Sequence, residues 1–114
     1  GVHYPLMDPG GTGPYPSLCN SRHLLVASQR STIIIDVDYD INPETDWLRI
    51  YDNNEESIQL TDWRGTDSNQ RIVCHSGYTF ISFHADTYTP RSGYVMHIYA
   101  CDTFEAEVRN VVSC

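Results

Sequence analysis

From Thr32 to Tyr39 the chain alternates with a strict two-residue period. Ile33, Ile35, Val37 and Tyr39 fall on one face, and Ile34, Asp36 and Asp38 on the other, as in a strand with one face buried. Wound as a helix, the same residues would scatter both acids into the apolar stripe. Six more short stretches rich in β-branched and aromatic residues read as strands: His23 to Ala27, Trp47 to Tyr51, Ser57 to Leu60, Arg71 to Cys74, Thr79 to His84 and Tyr94 to Tyr99. In the last of these, Tyr94, Met96 and Ile98 share a face. Turn residues separate them, at Asn42-Pro43, Asp52-Asn53-Asn54, Arg64-Gly65, Ser76-Gly77, Pro90 and Ser92-Gly93. Strands recurring at this rhythm point to an antiparallel sandwich or barrel rather than to βαβ units.

The chain has 114 residues, enough for one core. Its 40% hydrophobic and 19% charged residues suit a packed domain and not a disordered one. Residues 1–17 carry Pro5, Pro9, Pro14, Pro16, Gly10, Gly11 and Gly13, a density expected of an extended arm or loop. The sandwich is expected over residues 18–101 and a disulfide-tied tail over residues 102–114. In the tail, Asp102 and Glu105 have capping-box spacing, and Phe104, Val108 and Val111 follow a helical repeat, so a short helix fits there as well as a loop does.

Fifteen acidic residues against seven basic ones give a net charge of −8, which repels nucleic acid and anionic lipid and favours cationic partners. Apolar runs such as Ile33 to Ile35 are far too short to span a membrane. The opening residues lack the charged and apolar regions of an export signal, which is expected to have been removed or omitted. The four cysteines, Cys19, Cys74, Cys101 and Cys114, include no Cys-x-x-Cys pair and no zinc spacing, so they read as disulfides of an oxidising, extracellular compartment. Their connectivity is open on this evidence.

The segment Thr45-Asp46-Trp47-Leu48-Arg49-Ile50-Tyr51-Asp52-Asn53 resembles the signature of the CUB domain family. Downstream, Ile81-Ser82-Phe83-His84-Ala85-Asp86 and Gly93-Tyr94 resemble that family's strand, Ser-Asp turn and final strand, in order and spacing. Upstream, Tyr15-Pro16 before Cys19 resembles its Tyr-Pro stretch. The resemblance implies a jelly-roll-like β-sandwich that serves as an extracellular protein-interaction or oligomerisation module. Two departures stand out. Glu44 and Arg64 occupy the neighbourhood of one family disulfide, and the usual partner of Cys19 is missing. The layout implied by the resemblance brings the strand after Cys19 beside the last strand, which favours Cys19 with Cys101 and Cys74 with Cys114.

Calcium-binding members of the family use a glutamate and two aspartates on three loops. By resemblance, Asp46 and Asp86 stand at the aspartate positions, Asn42 stands at the glutamate position, and Glu44 is close enough to substitute. Calcium takes six to eight oxygen ligands, and a neutral one in place of a carboxylate weakens a site. The competing reading takes both aspartates as turn residues bonded to local amides. In similar domains the ion orders loops that receive a Lys or Arg from a partner protein; Trp47 and Tyr88, and less so Tyr51, are candidates for the apolar rim of that contact.

Nothing in the sequence supports catalysis. The five histidines lack a zinc-protease spacing, no serine sits in a nucleophile elbow, and Asn-x-Ser/Thr is absent. Two rivals remain: a carbohydrate-binding sandwich that stacks sugars on Trp47 or Trp63, and a structural spacer without ion or partner.

Overall fold

A computed structural model describes residues 2–8, 10, 11, 13–86, 91–101, 103, 104 and 109–113; for residues 2 and 109–112 only the backbone is described. Eight strands follow one another: β1 (Val2–Met7), β2 (Cys19–Val26), β3 (Ile33–Ile41), β4 (Trp47–Tyr51), β5 (Gly65–Cys74), β6 (Tyr78–Ala85), β7 (Gly93–Ala100) and β8 (Arg109–Ser113). They make two antiparallel sheets ordered β1-β7-β3-β5 and β4-β6-β2-β8. The all-β sandwich expected from the alternation is therefore the fold adopted.

β3 shows how the pattern becomes packing. Ile33, Ile35 and Val37 are at most 2% exposed, while Asp38 on the opposite face is exposed. On β7, Tyr94, Met96 and Ile98 are buried, and His97 and Tyr99 face solvent. Leu25 of β2, Leu48 and Ile50 of β4, and Ile81 and Phe83 of β6 close the same core from the second sheet. Each such side chain taken from water contributes roughly 1.5–3 kcal/mol before entropy opposes it.

Several expectations are corrected. Within the segment expected to be an extended arm or loop, Val2–Met7 is a strand that lies along β7, with Pro5 opposite His97. β1 is an outer strand, where a missing N–H can face solvent without removing a ladder bond. Ser57 to Leu60 is exposed and makes only an isolated bridge, Gln59 to Tyr51, so it forms no strand of either sheet. β5 starts six residues earlier than its apolar end suggests, because its first half is a polar, mostly exposed edge. The helical alternative for the tail fails at Val111, which belongs to β8 and pairs with Arg22 of β2. Asp102 and Glu105, its expected cap, lie outside the described residues.

The cysteine pairing is also corrected. Cys74 is a buried free thiol and Cys101 an exposed one, whereas Cys19 is disulfide-bonded. The cause is topological. β2 lies between β6 and β8, and β7 belongs to the other sheet. Cys19 pairs with Ala85 at the pole where β6 ends. Cys101 follows Ala100 at the opposite pole, where the Ser28 amide donates to the Thr103 carbonyl at 2.7 Å. Burial pushes the Cys74 thiol up to about 11, so it stays protonated and inert. Cys114 lies outside the described residues.

One inward position of β2 is a histidine. His23, opposite Ile81, is 4% exposed, and its Nδ1 has no hydrogen-bond partner among the described residues. Burial lowers its pKa below the ordinary 6.5, because the charged ring cannot be solvated there. As pH falls below 6.5 the unfolded chain takes up a proton that the native chain refuses, and stability is lost. Melting temperatures of wild type and His23→Leu, compared at about pH 7.5 and about pH 5.5, should show the steeper fall in wild type. Parallel falls would contradict this.

Candidate functional site

Three connections meet at one pole: the β1–β2 segment, the β3–β4 loop and the chain leaving β6. Trp47 pairs with His84, so the residue entering β4 and the residues leaving β6 are neighbours. Asp46 and Asp86 thus come together across forty positions of sequence, the Asp86 amide donating to Asp46 Oδ1 at 2.8 Å.

Asp46 is fully buried. Its Oδ1 also accepts from Thr45 Oγ1 at 2.9 Å, and its Oδ2 accepts from the Tyr15 hydroxyl at 2.6 Å. A carboxylate offers about four lone-pair directions, so these three bonds leave about one, on Oδ2. Among the described residues no arginine pairs with Asp46, although Asp36, Asp40 and Asp62 each have one. A buried charge held by neutral donors alone is costly, and a cation at the open direction would offset that cost.

Tyr15 organises the pole. Its ring is buried edge-on against Phe83, with centroids 5.0 Å apart, and its oxygen accepts from the Asn42 amide at 3.0 Å while donating to Asp46. Burial, and after it the bond to Asp46, pushes the phenol up to about 12, so it remains a donor at neutral pH. Asn42 Oδ1 accepts from the Glu44 amide at 3.0 Å, and the Asp46 amide donates to the Asn42 carbonyl at 3.2 Å, which closes the loop on itself. Glu44 and Asp86 are exposed.

The four expected cation ligands therefore share one pole, in unequal roles: Asp46 is the buried anchor, Asp86 and Glu44 are open to solvent, and Asn42 braces the loop. Among the described residues no group of three or more His, Cys, Asp and Glu side chains is arranged to hold a metal. Asp46, Asp86 and Glu44 offer carboxylate oxygens and Asn42 an amide oxygen, the chemistry suited to a hard cation such as calcium.

Trp47 lies on the outer face of β4, half-buried, with the Arg49 guanidinium 4.0 Å from its ring centroid and His84 alongside at 5.2 Å. Tyr88 lies outside the described residues. Trp63 packs against the core, with Tyr39 stacked on it at 5.0 Å and 12°, so that face is not open to a sugar.

Two contributors were missed by sequence reasoning. Tyr15 served only to support the family resemblance, although a tyrosine amid prolines and glycines signals an anchor. Asp8 gave no signal: it is buried, and its carboxylate accepts from the amides of Gly10 and Tyr94 at 2.7 and 3.0 Å. Gly93, at φ +95°, lies so close that any side chain there would run into that carboxylate.

No protein-family model matches the chain, and no curated protein matches it. Solved structures do. The CUB1-EGF-CUB2 segment of human MASP-1/3 superposes with a TM-score of 0.75 at 19% identity, over 87% of this chain and 39% of that one. This chain thus spans well under half of that structure. The MASP-1 CUB2 domain, solved bound to Ca2+, superposes with a TM-score of 0.75 at 16% identity, over 86% of this chain and 92% of that one. The chain has the CUB fold, with a divergent sequence.

Proposed function

We propose that the chain is an extracellular protein-interaction module whose cation-binding pole, built on Asp46 and Asp86, receives a Lys or Arg side chain of a partner protein. The observation that carries this reading is the 2.8 Å bond that holds the two aspartates together. Asp46 and Asp86, with Asn42 and Glu44 at the loop, are the residues that would hold calcium; the ion would neutralise the buried carboxylate and order the loops. Tyr15 orients Asp46, and Asp86 presents the charge that meets a basic side chain. The disulfide at Cys19 and the net charge of −8 support an oxidising environment and a cationic partner. A similar fold solved with Ca2+ supports the choice of ion.

Calcium that binds only the native state at a hundredfold its dissociation constant adds about 2.7 kcal/mol, or on the order of 10 °C in Tm for a domain this size. Melting with calcium and then with chelator should show that difference. Asp86→Asn should abolish it while leaving the fold, because the backbone donor to Asp46 is retained. Capture of a partner from extracellular fluid should be lost with chelator. Identical melting in both conditions would remove calcium from the reading, and chelator-independent capture that survives Asp86→Asn would remove the partner site.

A further inference from the structure

The outer face of the β1-β7-β3-β5 sheet carries two exposed histidines on adjacent strands, neither of them in the loops of the aspartate pole. Pro5 pairs with His97 and His3 with Tyr99, so the two imidazoles are diagonal neighbours on one face. His3 Nε2 and His97 Nδ1 are 2.7 Å apart. The ring centroids are 4.9 Å apart with planes within 27°, so the contact lies along the line between the rings. One ring donates its N–H to the other across that gap, the direction depending on the tautomer.

We propose that His3 and His97 form a two-histidine site for a borderline divalent transition-metal ion of the zinc class, which takes the place of the hydrogen bond between them. Imidazole nitrogen suits such ions, and nitrogens both bound to zinc in a tetrahedral arrangement stand roughly 3.4 Å apart, a small opening for two exposed rings. Tyr99 stacks on His3 at 5.0 Å and 18°, which restrains the ring. Asp36, opposite His97 on β3, is held by both Arg71 nitrogens at 2.7 and 2.9 Å, so it supplies no ligand. Two imidazoles thus make up the protein's share of the coordination, and water completes it. Calcium, which requires oxygen, does not compete here.

One metal ion enters between two neutral rings, the hydrogen-bonding proton moves to the donor ring's other nitrogen, Nδ1 of His3 or Nε2 of His97, and binding weakens as pH falls because protons compete for the same lone pairs. Titration calorimetry of the whole chain with zinc chloride should show one ion per chain, bound more weakly at about pH 5.5 than at about pH 7.5. His97→Ala and His3→Ala should each weaken binding at least tenfold, while His75→Ala and excess calcium leave it unchanged. These are surface substitutions, so their melting temperatures should match wild type. Absence of zinc binding, or binding that persists in His97→Ala, would overturn the proposal without touching the aspartate pole. Loss of zinc on Asp86→Asn would overturn it as well, by moving the ion to that pole.

Discussion

Asp46→Ala lowers the unfolding free energy by about 3 kcal/mol, because one buried and one part-buried donor lose their acceptor and each orphaned donor costs about 1–3 kcal/mol. Those donors are the Tyr15 hydroxyl at 2.6 Å and the Asp86 amide at 2.8 Å. Relief of the buried charge offsets part of the loss, which keeps the figure at the lower end of the possible sum. At roughly 4 °C per kcal/mol, Tm falls by on the order of 10 °C. Asp46→Asn keeps an acceptor in place and should lose less stability, yet it should lose the calcium response as fully as the alanine does. Chemical denaturation of the three proteins measures this. An alanine variant within about 0.5 kcal/mol of wild type would mean that Asp46 is a surface turn residue after all.

Phe83→Ala is expected to cost about 3–5 kcal/mol, the range for truncating a buried aromatic ring. Phe83 is 1% exposed on β6, with Tyr15 edge-on at 5.0 Å and Tyr94 at 5.5 Å. The cavity removes the surface against which the Tyr15 ring is held, so the pole should loosen together with the core. Urea denaturation reads the first effect. The second appears as weaker calcium stabilisation in Phe83→Ala than in Phe83→Leu, which fills much of the volume. Equal calcium responses would separate core from pole and contradict the bracing role given to Tyr15.

The sequence was most legible where one physical requirement acted alone. The strand at Ile33 to Tyr39 had to bury one face and wet the other, and its alternation says so. Asp46 and Asp86 were placed together by a resemblance in which two loops flank paired strands, and the β4–β6 register delivers that proximity. The sheet edges were opaque. β1 hides in proline-rich sequence because an edge strand tolerates Pro5, and the first half of β5, Gly65 to Gln70, has no apolar residue because neither side of it needs burying. Asp8 and Tyr15 carry no pattern of their own, since a buried polar group is explained only by partners that tertiary structure brings to it. The cysteines misled for a similar reason: Cys19 and Cys101 look complementary along the chain and lie at opposite poles of the sandwich.

The most direct test of the aspartate pole is a calcium titration followed by backbone amide NMR. The expected result is that the largest shifts fall on Thr45, Asp46 and Asp86, with the amides of Asp38, Asp40 and Asp67 on the first sheet nearly still. No shift at the pole, or the largest shifts on that acidic sheet instead, would contradict it.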